Sequence, residues 1–306
     1  MNVDRVLRAA TAVLTGAGVP SPAVDAEVLL AHVSGHELGE LRRARIMGAE
    51  VPAPTRTAYL ELVERRARRV PLQHLTGRAH LGGVDLVVGP GVFVPRPETE
   101  VLVGLALEAL DALAALDARG ARDPEALDPS SGVAVPTVVD LCTGSGAVAL
   151  ALARARPHAR VGAVELSEDA HRYAVTNVER SGLPVDLRLG RAQDAFEDLL
   201  GVVDVVTSNP PYIPPDAVPV DVEVREHDPE LALYGGGVDG LQVPLEVAAR
   251  AARLLRPGGV LLMEHAAAQG RSLPEALAAQ GTWSQVDDHV DLAGLPRVAR
   301  AVRADR

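Results

Sequence analysis

Asn209-Pro210-Pro211-Tyr212, set directly behind the apolar run Val202-Val203-Asp204-Val205-Val206, brings together residue types suited to one kind of chemistry. Two prolines in series fix φ and donate no backbone hydrogen bond. Their carbonyls and the Asn209 side-chain oxygen are left as acceptors, and Tyr212 adds a flat ring with a polar edge. The run before them reads as a buried parallel strand, which places the tetrapeptide at a carboxyl edge with its oxygens aimed into the crevice where open α/β sheets bind ligands. This is a cradle for an NH2 group. A planar amide or exocyclic amine has a delocalised lone pair and attacks a sulfonium methyl poorly unless it is held in line with its hydrogens engaged. In this reading Asn209 and the Pro210 carbonyl each accept one N–H, Pro211 stiffens the turn and Tyr212 packs the amide plane. Positioning of this kind supplies roughly 7 to 11 kcal/mol of a barrier. The competing reading is a proline-rich surface turn after a strand.

A second constellation weighs against the plain turn. Val138-Val139-Asp140-Leu141-Cys142-Thr143-Gly144-Ser145-Gly146 is followed by a helical pattern, Ala147 to Ala155, and a strand, Arg160 to Val164. Strand, glycine loop, helix and strand form a nucleotide-binding unit. Gly144 and Gly146 let the backbone approach a ligand, and Glu165 lies nineteen residues past Gly146, near the spacing at which an acid meets ribose hydroxyls. Gly144-x-Gly146-x-x-Ala149 also fits a dinucleotide fingerprint. Asp140 tilts the choice toward S-adenosylmethionine, because an anion there suits an ammonium and a sulfonium and repels a pyrophosphate.

With these residues in view, the chain resembles the release-factor glutamine methyltransferases, which methylate the side-chain amide of the Gln in the Gly-Gly-Gln loop of peptide-chain release factors. The likeness runs along nearly the whole chain. It includes Pro71 to Gly77, Phe93-Val94-Pro95-Arg96-Pro97-Glu98-Thr99-Glu100, Glu230 to Leu241, Leu255 to Gly259 and Asp291 to Val298. Asn-Pro-Pro-Tyr is shared with adenine-N6 and guanine-N2 methyltransferases, whereas a helical amino-terminal domain joined through Arg96-Pro97-Glu98-Thr99-Glu100 is similar to this family alone. The resemblance implies that Cys142, Thr143, Gly144, Ser145 and Gly146 wrap the methionine part of S-adenosyl-L-methionine and that Glu165 holds its ribose. It further implies that Asp194 or Ala195 lies against the adenine and that Asn209 to Tyr212 hold the substrate glutamine. The product would be S-adenosyl-L-homocysteine, no metal would take part, and the partners would be class I release factors. Ala195 stands where the family often has a bulky or aromatic residue, and Glu264-His265-Ala266-Ala267-Ala268-Gln269 lacks the glycine usual soon after the glutamate. Arg96 and Glu98 either line the cleft or brace the linker.

The expected fold is α/β: a doubly wound, mostly parallel Rossmann-like class I methyltransferase sheet with a small amino-terminal helical-bundle domain. Apolar residues at helical spacing (Val6, Ala10, Val13, Leu14; Val24, Val28, Leu29; Leu60, Val63, Ala67) predict that bundle, a substrate-docking domain over residues 1–78. Residues 79–97 form a hairpin and linker, with strands at His80-Leu81 and Val84 to Val88. The methyltransferase domain covers 98–306, opening on a helix from Glu98 to about Leu116. Residues 117–136, rich in Ala, Asp, Pro and Ser, are expected to be a mobile insertion. Trp283 to Asp288 and Arg297 to Val302 are expected to add an antiparallel pair.

Composition narrows the function further. Residues 1–78 hold eleven arginines against eight acids and the remainder nineteen against thirty-three, within a net charge of −11. An acidic catalytic half argues against a nucleic-acid substrate, for which phosphate neutralisation supplies most of the affinity. Two alternatives stand beside the main reading: a methyltransferase acting on exocyclic amines of nucleic acids, and a non-catalytic module binding the cofactor or a release factor. A single cysteine excludes an internal disulfide and fits a cytoplasmic protein, and no apolar stretch is long enough to span a membrane. His32 and His36, at helical i, i+4 spacing, lack a nearby third ligand, so no metal site is expected. Cys142 has no histidine partner placed by sequence and is not read as a nucleophile.

Overall fold

The computed structural model describes residues 1–117 and 135–305. The insertion expected at 117–136 falls almost wholly outside the described residues. The chain divides into two compact units, one of Met1–Arg78, Val88–Pro90 and Pro219–His227, the other of Ala79–Val87, Gly91–Val218 and Asp228–Arg306.

The first unit is helical, with α1 (Val3–Gly16), α2 (Pro22–Ser34), α3 (Leu38–Ile46), α4 (Ala53–Ala67), α5 (Leu72–Thr76) and the short α9 (Val222–His227). Asn2 starts α1 by accepting the Arg5 amide at 3.0 Å, and Gly35 ends α2 in the left-handed conformation. The expected apolar stripes are only partly the buried ones. Val13, Val24 and Leu60 face solvent, while Leu7, Ala26, Leu30, Tyr59 and Arg66 turn inward. Buried polar pairings displaced the simple stripe. The Tyr59 hydroxyl donates to the Ala26 carbonyl at 3.1 Å, and Arg66 is sealed between Asp25 (2.7 Å) and Glu223 (2.8 Å).

The second unit is built on a seven-stranded sheet in the order β5-β4-β3-β6-β7-β9-β8. Its strands are β3 (Thr137–Leu141), β4 (Arg160–Glu165), β5 (Val185–Leu189), β6 (Val203–Ser208), β7 (Leu255–Glu264), β8 (Trp283–Val290) and β9 (Pro296–Arg303). The first five run parallel, and β9 and β8 close the edge as the expected antiparallel pair. Every residue of β3 and β6 is buried, which is why both read as largely apolar runs without alternation, interrupted by Asp140 in the one and Asp204 in the other. Val202, placed in the strand by that run, lies outside it and is exposed. A two-stranded hairpin, β1 (Arg78–Leu81) and β2 (Val84–Val87), precedes the sheet. The helices of this unit are α6 (Thr99–Leu116), α7 (Ala147–Ala155), α8 (Glu168–Ser181), α10 (Gln242–Leu254) and α11 (Ser272–Ala279). Strand order reverses between β3 and β6. Beyond the carboxyl ends of the strands, such a switch point is where open α/β sheets place a ligand crevice.

Candidate active site

Both motifs meet at this switch point. Leu141 ends β3 directly opposite Ser208, which ends β6, and the Ser208 hydroxyl donates to the Leu141 carbonyl at 2.7 Å. The next residues outward are Cys142 of the glycine loop and Asn209 of the proline turn, so the two loops face each other from neighbouring strand ends.

Asp140 is 1 % exposed, and its carboxylate accepts from the hydroxyls of Thr143 at 2.6 Å and Thr207 at 2.8 Å. It therefore ties the glycine loop to β6. Burial pushes its pKa up to about 6, against the pull of those two hydroxyls. The loop then bends sharply: Cys142, Gly144 and Gly146 all have positive φ, and Gly146 sits at the amino end of α7. A Cβ added to Gly144 would meet nothing within 4 Å, so the outer side of this bend is open space. The Cys142 thiol is pushed up to about 12, chiefly by burial and then by Glu165, and stays protonated at neutral pH. Ser145 is buried with its hydroxyl lacking a hydrogen-bond partner.

Glu165, at the end of β4, accepts the amides of Gly144 and Ser167, each at 2.8 Å. Its carboxylate spans the floor of the loop, and burial raises its pKa. The next residue, Leu166, is an apolar side chain left 49 % exposed, which the sequence pattern did not single out. Asp194 and Ala195 lie in the loop after β5, which leaves the sheet at the neighbouring edge position. Asp194 is exposed and Ala195 half-buried. The buried Arg250 of α10 fixes this loop by donating to the Ala195 carbonyl at 2.8 Å. The one aromatic residue nearby, Phe196, turns into the core against Gly162.

The proline turn is held from behind. Gln269 donates to the Tyr212 carbonyl at 2.8 Å and to the Asp239 carbonyl at 2.9 Å, while Tyr212 and Ile213 donate their amides to Leu233. Gly235 and Gly240 press backbone against backbone on the turn: a Cβ on Gly235 would lie 2.6 Å from the Pro211 carbonyl oxygen, and one on Gly240 would lie 2.1 Å from that of Tyr212. Of the two proline carbonyls expected to aim into the crevice, that of Pro211 is instead packed against Gly235. Asn209 is half-buried at the crevice and Pro210 is buried. Burial raises the Tyr212 phenol, helped by the charge of Glu264.

Arg96 reaches Asp228 at 2.7 Å and lies over the Phe93 ring at 5.2 Å, while Glu98 is exposed just ahead of α6. Both act electrostatically on Tyr212. Glu264, Thr99 and Gln269 complete the surroundings of the turn. Thr99 and Gln269 stand within stretches compared with the family but carry no role of their own there, whereas Glu264 is marked as an acid ending the apolar run Val260 to Met263. Among the described residues no group of three or more His, Cys, Asp or Glu side chains is placed to hold a metal ion, and no helix is long and apolar enough to cross a membrane.

A parallel sheet with an acid-tipped first strand, a glycine loop and an Asn-Pro-Pro-Tyr turn at its switch point defines a Rossmann-like methyltransferase. Residues 5–77 match the family profile described as PrmC N-terminal domain, and residues 126–225 match that of the Methyltransferase small domain. A relative from Streptomyces coelicolor named release factor glutamine methyltransferase is 49 % identical over 296 residues, 96 % of each chain. One of the same name from Mycolicibacterium smegmatis is 43 % identical over 98 % of this chain and 97 % of its own. A 4-amino-L-phenylalanine/4-methylamino-L-phenylalanine methyltransferase from Streptomyces pristinaespiralis is 41 % identical over 92 % of this chain and 89 % of its own. The chain belongs to the release factor glutamine methyltransferase family.

Proposed function

We propose that this protein transfers a methyl group from S-adenosyl-L-methionine to the side-chain amide nitrogen of the glutamine in the Gly-Gly-Gln loop of class I peptide-chain release factors, leaving S-adenosyl-L-homocysteine. The observation that carries the reading is the juxtaposition of Asn209 with the glycine loop across the β3–β6 crevice.

The residues present fit such a donor. Open space above Gly144 leaves room for the methionine part, and the unpartnered Ser145 hydroxyl lies in the same loop. The acids Asp140 and Glu165 match a ligand bearing an ammonium and a sulfonium, and Glu165 keeps lone pairs for ribose hydroxyls. Leu166 offers an apolar face to the adenine, in the neighbourhood where Asp194 and Ala195 close the hollow. When bound, the donor supplies an electrophilic methyl carbon: the amide nitrogen forms the N–C bond, the C–S electron pair stays on sulfur, and the nitrogen sheds a proton to water. The chain's own part is to hold the nucleophile. Asn209 Oδ1 and the Pro210 carbonyl engage the two N–H groups, and Tyr212 bounds the amide plane. Fixed acceptors favour the pyramidal, partly positive nitrogen over the planar one, where stabilisation counts toward rate. No metal is required by this chemistry.

The arginine-rich residues 1–78 serve as the docking part, and the site of action is the cytoplasm. The test is mass spectrometry of a release factor after incubation with the protein and the donor, with nucleic acid and free 4-aminophenylalanine as parallel substrates. One added methyl on the Gly-Gly-Gln glutamine is expected. Asn209→Ala should abolish that product while binding the donor within about threefold of wild type. Label in the nucleic acid or the free amino acid, and none in the release factor, would reverse the assignment.

A further inference from the structure

An asparagine amide has two ends, and only one of them is useful to the reaction. With Oδ1 accepting from the substrate nitrogen, Nδ2 must point elsewhere and needs an acceptor. If the amide flips, two NH2 groups confront each other. Something must therefore choose the orientation of Asn209.

The neighbouring strand supplies a candidate. β6 and β7 run parallel with Ser208 opposite Met263, so one step further along the edge Glu264 comes beside Asn209. Glu264 is 2 % exposed and its Oε2 has no partner in hydrogen-bond geometry. A carboxyl sealed in this way is costly, and packing alone would be served better by an apolar side chain. Its surroundings come from every element around it. The Thr99 hydroxyl at the start of α6 and the Asn209 side chain favour its charged form as nearby hydrogen-bond donors, Arg297 of β9 favours it by charge, and Glu98 opposes it. The Tyr212 phenol responds to its charge. Arg297 is anchored by Asp291 at 3.2 Å and also donates to the His265 carbonyl, so it is shared rather than committed to Glu264. His265 turns away, to Asp288 at 2.7 Å and its neighbour Ala266 at 2.9 Å.

We propose that Glu264 is a positioning residue which, when ionised, holds the Asn209 amide with Nδ2 toward the carboxylate and Oδ1 toward the substrate nitrogen. A carboxylate only accepts, so it enforces that orientation; a neutral carboxyl can donate to Oδ1 and admits the flipped one. This rests on the amide-methylation reading above. Burial pushes Glu264 up to about 7, so the switch between the two forms falls inside the working range of pH.

The test follows kcat and KM for methylation of the release factor from about pH 5.5 to 9. In the wild type, kcat should fall as pH drops through roughly 7 and level off about tenfold lower, near the E264Q value. E264Q, whose amide both donates and accepts, should have kcat lower by about tenfold at pH 8, no acid limb, and a donor KM within about threefold. T99V, which removes a hydroxyl favouring the anion, should move the acid limb to higher pH; this variant keeps the test decisive if E264Q does not fold. Wild-type kcat in E264Q, or an acid limb that survives E264Q and stays put in T99V, would overturn the proposal. A wild type that leaves the glutamine unmethylated would overturn the underlying reading as well, whereas methylation with both variants unaffected would remove this proposal alone.

Discussion

Asp140 shows how one side chain serves two demands. Its oxygens are taken by the hydroxyls of Thr143 and Thr207, so it fixes the glycine loop before any ligand arrives. Its burial also leaves it less charged near neutrality than an exposed acid, with a pKa of about 6. A bound cation favours the anion, so binding the donor below pH 6 must expel a proton. Donor affinity, measured by calorimetry, is therefore expected to fall as pH drops through 6, approaching tenfold per unit below it. Asp140→Asn should flatten that dependence and weaken binding at pH 8 by roughly 1.5 to 3 kcal/mol, the usual scale for an interaction with a charged group. An unchanged slope would mean that Asp140 is a brace alone.

At the scale of elements, the proline turn is only as well placed as the segment behind it. Gly235 and Gly240 are the positions where a methyl group has no room, since it would meet the carbonyls of Pro211 and Tyr212. Gly240→Ala should cost about 1 to 3 kcal/mol of stability by overpacking and strained φ, and should lower kcat further than Gly294→Ala, whose φ is equally positive but whose added Cβ meets nothing. Chemical denaturation and steady-state kinetics on the pair separate the two effects. Equal kcat losses would show that the turn does not depend on its backing. This dependence explains what was legible beforehand. Strands β3 and β6, the glycine loop and the proline turn announce themselves through local composition, because each is a short run whose own residues dictate its conformation. The backing glycines carry no signal of their own beyond lying within the stretch Glu230 to Leu241. Gln269, Arg250 and Thr99 acquire their roles from residues tens of positions away, and no periodicity carries that information. The helical stripes failed locally for the same reason: Arg66 and Tyr59 point inward because distant Asp25, Glu223 and Ala26 receive them.

Across the whole molecule, three buried acids, Asp140, Glu165 and Glu264, all have raised pKa values. Groups of this kind contribute stability that is full below the unfolded carboxylate range near pH 4 and is lost as pH rises through the folded values, here about 6 for Asp140 and about 7 for Glu264. The loss is up to about 3 kcal/mol for each fully buried group. Acids that gain hydrogen-bond donors on folding work in the opposite direction. Asp198, lowered to about 2 by Arg188, and Asp291, lowered by the backbone amide of Leu295, lose their contribution only in stronger acid. Self-repulsion of a chain with net charge −11 adds to the decline at higher pH. Thermal stability of the donor-free protein is therefore expected to peak near pH 5 and to fall between pH 5 and 8, as scanning calorimetry would show. Donor binding neutralises part of that cost at Asp140 and Glu165, so the rise in Tm at saturating donor should be larger at pH 8 than at pH 5. A donor-induced shift that stays constant across this range would place the cationic groups of the ligand away from both acids. The crevice between β3 and β6 would then lose its electrostatic reason for preferring a sulfonium.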